Sequence, residues 1–196
     1  MNPVSQQVIS ALGPVVAAFH RLGVRYYVGG SIASSIFGMP RTTMDVDLVA
    51  DLRLEHVASL VDSLKGEYYA SDSMIRDAIA RRSCFNVIHM PTMYKVDIFV
   101  LKNRPYDHTA IERASPRPLD LDAPRELFQV AAAEDTVLAK LEWYRLGDEV
   151  SERQWKDVLE VLRVQRTILD CDYMAQWAAE LGVADLLQRA WQEAEE

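Results

Sequence analysis

The segment Asp45-Val46-Asp47-Leu48-Val49-Ala50 sets two carboxylates two positions apart at the head of an alternating apolar run, and no other stretch constrains the fold as much. The alternation predicts a β-strand over residues 44–50. Residues two apart on a strand project from the same face, with Cα atoms about 6.5 Å apart, so both carboxylates address one volume. Two like charges repel there. A divalent cation relieves the repulsion, and oxygen ligands of this kind suit Mg²⁺ or Mn²⁺, commonly shared with substrate phosphates. Solvent-facing aspartates at a strand end are the plainer reading of the same pair. Two further D-x-D pairs have local explanations: Asp120/Asp122 falls in a proline-rich stretch, and Asp170/Asp172 stands where a helix begins.

Asp97 shifts the balance. It interrupts Lys95-Val96-Asp97-Ile98-Phe99-Val100, whose Val96, Ile98, Val100 face is apolar, and an acid in the middle of such a run needs a reason. If this strand neighbours residues 44–50, a spacing of about 4.8 Å lets Asp97 complete a three-carboxylate cluster. Such a cluster can hold two metal ions about 3.5 to 4 Å apart. An edge aspartate facing water is the alternative.

Upstream, the β-prone run Arg25-Tyr26-Tyr27-Val28 meets Gly29-Gly30-Ser31, and a short helix over residues 31–37 follows, stopped by Gly38 and Pro40. Glycines let the chain leave a strand abruptly and enter a helix with its N–H groups facing outward, where a phosphate binds well. A simple turn with a serine N-cap uses the same residues.

Around this centre, residues 4–22 read as an amphipathic helix with Pro14 as a potential kink, and residues 54–64 and 73–82 as two more. Residues 84–89 and 94–101 form strands joined closely enough for a hairpin. Residues 104–124 hold four prolines and read as a long connection. The rest is helical: Glu134 and Asp135 open one helix, Ser151 and Gln154 form a capping box for the next, and two more follow. The expected class is therefore α+β, a small mixed β-sheet with packed helices over residues 1–103, a connection over 104–132, and a C-terminal helical bundle over 133–196.

Bulk properties narrow the function. A chain of 196 residues, 49% hydrophobic, buries a core without staples. Its net charge of −8 argues against general affinity for nucleic acid. Arg76, Arg81 and Arg82, with Lys102, Arg104, Arg113 and Arg117, leave room for a local cationic rim, or are scattered solvated charge. No apolar run nears the roughly 18 residues of a membrane span. Cys84 and Cys171 form no C-x-x-C pair and no leader pattern precedes them, so a cytoplasmic setting is expected.

The order strand, Gly-Gly-Ser, helix, D-x-D strand, then a later strand with one acid resembles the nucleotidyltransferase superfamily whose fold is shared with DNA polymerase beta. Gly30-Ser31, Asp45, Asp47 and Asp97 match its pattern across residues 23–101. The helical half is similar to the bacterial abortive-infection toxin-type nucleotidyltransferases, although those toxins carry more C-terminal helix. The resemblance implies that Asp45, Asp47 and Asp97 bind Mg²⁺ (or Mn²⁺), with Asp97 also taking a proton from the attacking hydroxyl. It further implies that Gly29, Gly30, Ser31, Arg41 and Lys140 meet the NTP, and that Asp157 braces the helices or the lysine. By its residues alone, Lys140 is equally a solvated helix position and Arg41 a surface one. A tRNA end, a protein hydroxyl or a small molecule would serve as acceptor, and an antitoxin as partner. A relative that binds a nucleotide or a protein without turnover is the alternative.

Overall fold

The computed structural model describes residues 6–41, 43, 45–119 and 126–195. The first helix, α1 (Gln6–Leu22), runs through Pro14 and ends at Gly23, which takes a positive φ. β1 (Tyr26–Val28), α2 (Gly30–Phe37) and β2 (Asp45–Ala50) follow, then a 3₁₀ turn (Leu54–His56) leading into α3 (Val57–Leu64). A two-residue strand, β3 (Tyr68–Tyr69), precedes α4 (Asp72–Arg81), β4 (Cys84–His89) and β5 (Tyr94–Val100). The expected hairpin is present, with β4 and β5 antiparallel and His89 opposite Tyr94.

The stretch read as a long connection is instead structured. It contains α5 (Pro105–Arg113) and β6 (Ser115–Pro118), followed by β7 (Leu127–Val130). The prolines that suggested a loop have positional roles: Pro105 begins α5, where the missing N–H costs nothing, and Pro116 and Pro118 lie on an edge strand. Asp120 and Asp122 lie outside the described residues. The sheet thus has seven strands among the described residues, in the order β3-β4-β5-β2-β1-β7-β6. It is mixed, since β2 pairs parallel to β5 and β1 parallel to β7, while the other pairings are antiparallel.

One sheet face is the core. Val46, Leu48, Val96, Ile98, Phe85 and Val87 are buried there with Leu12, Val15 and Phe19 of α1 and Leu60 of α3. The opposite face carries Asp45, Asp47, Val49, Lys95, Asp97 and Phe99, because alternation sends each strand's other residues that way. The C-terminal helices are α6 (Ala133–Leu146), α7 (Glu152–Gln165), α8 (Cys171–Glu180) and α9 (Ala184–Glu195). They pack on one another and, through α6 and α7, on α2. Ser151 caps α7 by accepting from the Gln154 amide, but the expected capping box is only half made, since Gln154 Oε1 is buried without a hydrogen-bond partner among the described residues; Asp170 caps α8 by accepting from the Tyr173 amide, as its sequence position suggests. No described helix is long and apolar enough to cross a membrane.

Candidate active site

The turn at Gly30 is built around a carboxylate. Gly30 has φ +53°, and a Cβ added there would overlap the Asp47 side chain. Gly29, by contrast, has φ −120°, and its added Cβ would meet nothing nearer than the Tyr27 ring at 3.6 Å. The Gly29 amide donates to the Asp47 carbonyl at 2.9 Å, fastening the head of α2 to β2. Gly30→Ala is therefore expected to cost about 1–3 kcal/mol through left-handed backbone and overpacking, a fall of several degrees in Tm, while Gly29→Ala changes little. Thermal unfolding of the two variants checks this; equal losses would contradict it.

Asp47 and Asp97 are direct partners in the parallel register of β2 and β5, and Asp45 faces Lys95 one step along the same face. Burial pushes the Asp47 carboxyl above its usual range, and Asp97 and Asp45 push it the same way, against Lys140 and the Ser31 amide. The three acids do not close into one cluster. Among the described residues no group of three or more His, Cys, Asp or Glu side chains is gathered closely enough to hold a metal ion. The reason is visible: the Lys95 ammonium lies 2.8 Å from an Asp97 oxygen, and Asp45 occupies the exposed end of β2. The donor set still suits a hard divalent cation, because Asp47 and Asp97 are half-buried carboxylates in direct register, with the half-exposed Lys95 ammonium standing on one of them.

On the other side of the turn stands a three-way ion pair. Asp157 of α7 accepts from Arg41 Nε at 2.9 Å, from the same guanidinium's Nη2 at 2.8 Å, and from Lys140 Nζ of α6 at 2.8 Å. Arg41 also donates to Ser31 Oγ. Lys140 and Asp157 are only 7% and 8% exposed, so Lys140 is a buried, partnered cation and not a solvated helix position. Burial raises the Asp157 carboxyl, but Arg41 and Lys140 outweigh it and hold the group below its ordinary value. For Lys140, burial lowers the ammonium against the pull of Asp157. Asp157 thus braces the lysine and the arginine together, a role for which its sequence position gives no geometry.

These groups surround one cavity of about 420 Å³. Gly29, Gly30, Ser31, Arg41, Asp47 and Lys140 all line it; Asp45 and Asp97 are not among its lining residues. Its far side is aromatic, with Phe99 and Trp143 meeting edge to face at 5.6 Å and Trp143 still 46% exposed. Sequence reading left Trp143 without a role, and its place in the wall follows only from its ring meeting Phe99 of β5, a contact the folded chain creates. The proposed cationic rim is largely self-neutralised. Arg76 pairs with Asp72, Arg81 with Asp77, Lys102 with Glu142, Arg104 with Asp107 and Glu142, and Arg113 with Glu134 and Asp135.

Seven mixed strands with a glycine-headed helix feeding the acidic strand define the class: the fold is that of the nucleotidyltransferase superfamily. Among solved structures, the chain is similar to the antibiotic-resistance factor ANT(2'')-Ia, with a TM-score of 0.55 and 15% identity over 98% of this chain and 97% of that one. It is similar also to an antigenic nucleotidyltransferase-like protein from Paracoccidioides brasiliensis, with a TM-score of 0.54 and 15% identity over 91% of this chain and 87% of that one. No family model and no curated protein sequence matches the chain.

Proposed function

We propose that the protein is a metal-dependent nucleotidyltransferase, moving a nucleoside monophosphate from an NTP to an acceptor hydroxyl or phosphate and releasing pyrophosphate. The observation that carries this is one cavity wall: Asp47, in register with Asp97, beside a glycine turn facing two cations that Asp157 has already oriented. Asp47 and Asp97, with Asp45 at the strand's exposed end, would hold Mg²⁺ or Mn²⁺. When bound, the metal supplies charge neutralisation at the reacting phosphate and orients its oxygens. Arg41 and Lys140 meet the remaining phosphate charge without rearranging, so the cost of ordering them is met in folding and not at binding. Asp97 accepts the proton of the attacking hydroxyl.

The acceptor is better a small molecule or a protein hydroxyl than a long RNA, given the charge of −8 and the paired rim arginines. A cytoplasmic setting fits two free, exposed cysteines. A nucleotide-binding relative without turnover is the second reading, favoured by the Lys95 contact on Asp97.

Incubation with Mg²⁺ or Mn²⁺, each labelled NTP in turn and a cell extract as acceptor source tests the proposal. Label transfer by the wild type that is lost in an Asp45→Asn/Asp47→Asn variant supports it. Nucleotide binding without transfer supports the second reading, and the absence of any Tm rise with metal and NTP together rejects both. Growth arrest on expressing the wild type but not the double variant tests the toxin-like role.

A further inference from the structure

The sheet face beneath the cavity holds a square of four charges. Parallel register sets Asp45 opposite Lys95 and Asp47 opposite Asp97, while alternation along each strand puts all four side chains on one face. Three are carboxylates and one is an ammonium. Asp97, at 16% side-chain exposure, has Lys95 at 2.8 Å, whereas the Lys95 side chain is 43% exposed on a long flexible stem. The other inner corner, Asp47, is half-buried and has no such ion pair among the described residues; its relief comes from the charge of Lys140, which is itself bound to Asp157, and from the Ser31 amide.

We infer that Lys95 is the resident counter-ion of this site: a positioning residue whose ammonium occupies the Asp97 carboxylate until a divalent cation displaces it. The inference rests on the nucleotidyl-transfer reading and adds a residue that the reading does not contain. Its physical basis is exclusion. An ammonium and a dication compete for the same carboxylate oxygens, and a unit charge a few ångström away repels the dication even when the stem swings aside. Because Lys95 is half exposed, it can leave Asp97 for solvent or for a phosphate oxygen at little cost. Metal alone is therefore held weakly, and metal arriving with an anionic nucleotide, which gives Lys95 a new partner, is held well.

The test is Mn²⁺ alone, titrated into the full-length protein, with free ion read by electron paramagnetic resonance. Lys95→Met is expected to bind Mn²⁺ about tenfold more tightly than the wild type, and Lys95→Arg, which keeps the charge, to stay near the wild type. The same order is expected in the Tm rise produced by saturating Mn²⁺, which stabilises the native state by binding it, and Lys95→Gln serves if Lys95→Met folds poorly. Unchanged or weaker Mn²⁺ binding in Lys95→Met overturns the inference, as does tight binding by Lys95→Arg. A Lys95→Met/Asp97→Asn variant separates the two levels. If it loses the gained affinity, the ion sits on Asp97; if it binds as tightly as Lys95→Met, the metal-site reading itself fails and the counter-ion role with it.

Discussion

Replacing Asp157 by alanine is expected to remove about 3–5 kcal/mol of stability, because it strands Lys140 as a buried cation with no partner and releases Arg41 from two hydrogen bonds. A loss of this size is a large share of what holds a domain together. Converting the buried pair to an apolar one, as Lys140→Met/Asp157→Leu, should recover much of it, since no buried ammonium then remains, while Arg41, whose side chain is 25% exposed, keeps Ser31 Oγ and solvent as partners. Urea unfolding of both variants decides the matter. A double variant as unstable as the single one would show that the effect is packing and not charge. The same carboxylate sets an acid limit. Its folded value lies below its ordinary one, so its contribution is complete above pH 4 and is lost as pH falls further through the depressed value.

Asp47→Asn should do two opposite things. The amide fits the space beside Gly30 and still accepts from the Ser31 amide, but it ends the repulsion with Asp97 and the cost of burying a charge. Those two effects already hold the wild-type carboxyl above its usual range, so their removal should stabilise the fold at neutral pH, read as a rise in Tm. On the proposed chemistry, transfer should at the same time fall by about two orders of magnitude or more, since metal-held charge contributes several kcal/mol to such reactions. A variant that is both more stable and inactive would mark Asp47 as a residue kept for function at the expense of stability. A fall in Tm would mean that the attraction of Lys140 outweighs Asp97.

The two acidic strands are legible in the sequence because strand alternation has a period of two and any acid that breaks an apolar run stands out. Their adjacency is not, since it depends on β5 choosing β2 as its parallel neighbour, which nothing local dictates. Gly30 is legible as a turn but not as a socket for Asp47, a contact that only the folded sheet creates. Lys95 could have been found by the same alternation that found Asp97, as it lies two residues away on the same strand. The prolines of residues 105–118 misled because a proline at a helix start, or on an edge strand, has the composition of a loop. Asp157 and Trp143 belong to a wall made by helix packing, where sequence spacing along one helix says nothing of the facing element.

The contact between Arg41 and Asp157 joins residues 116 positions apart, so it is among the last a growing chain can make. Until α7 has left the ribosome, Lys140 has no carboxylate to settle on and the guanidinium of Arg41 has nothing to hold it over the glycine turn. A prematurely terminated product, even one that contains every acid of the sheet, would thus lack the carboxylate that orients the two cations.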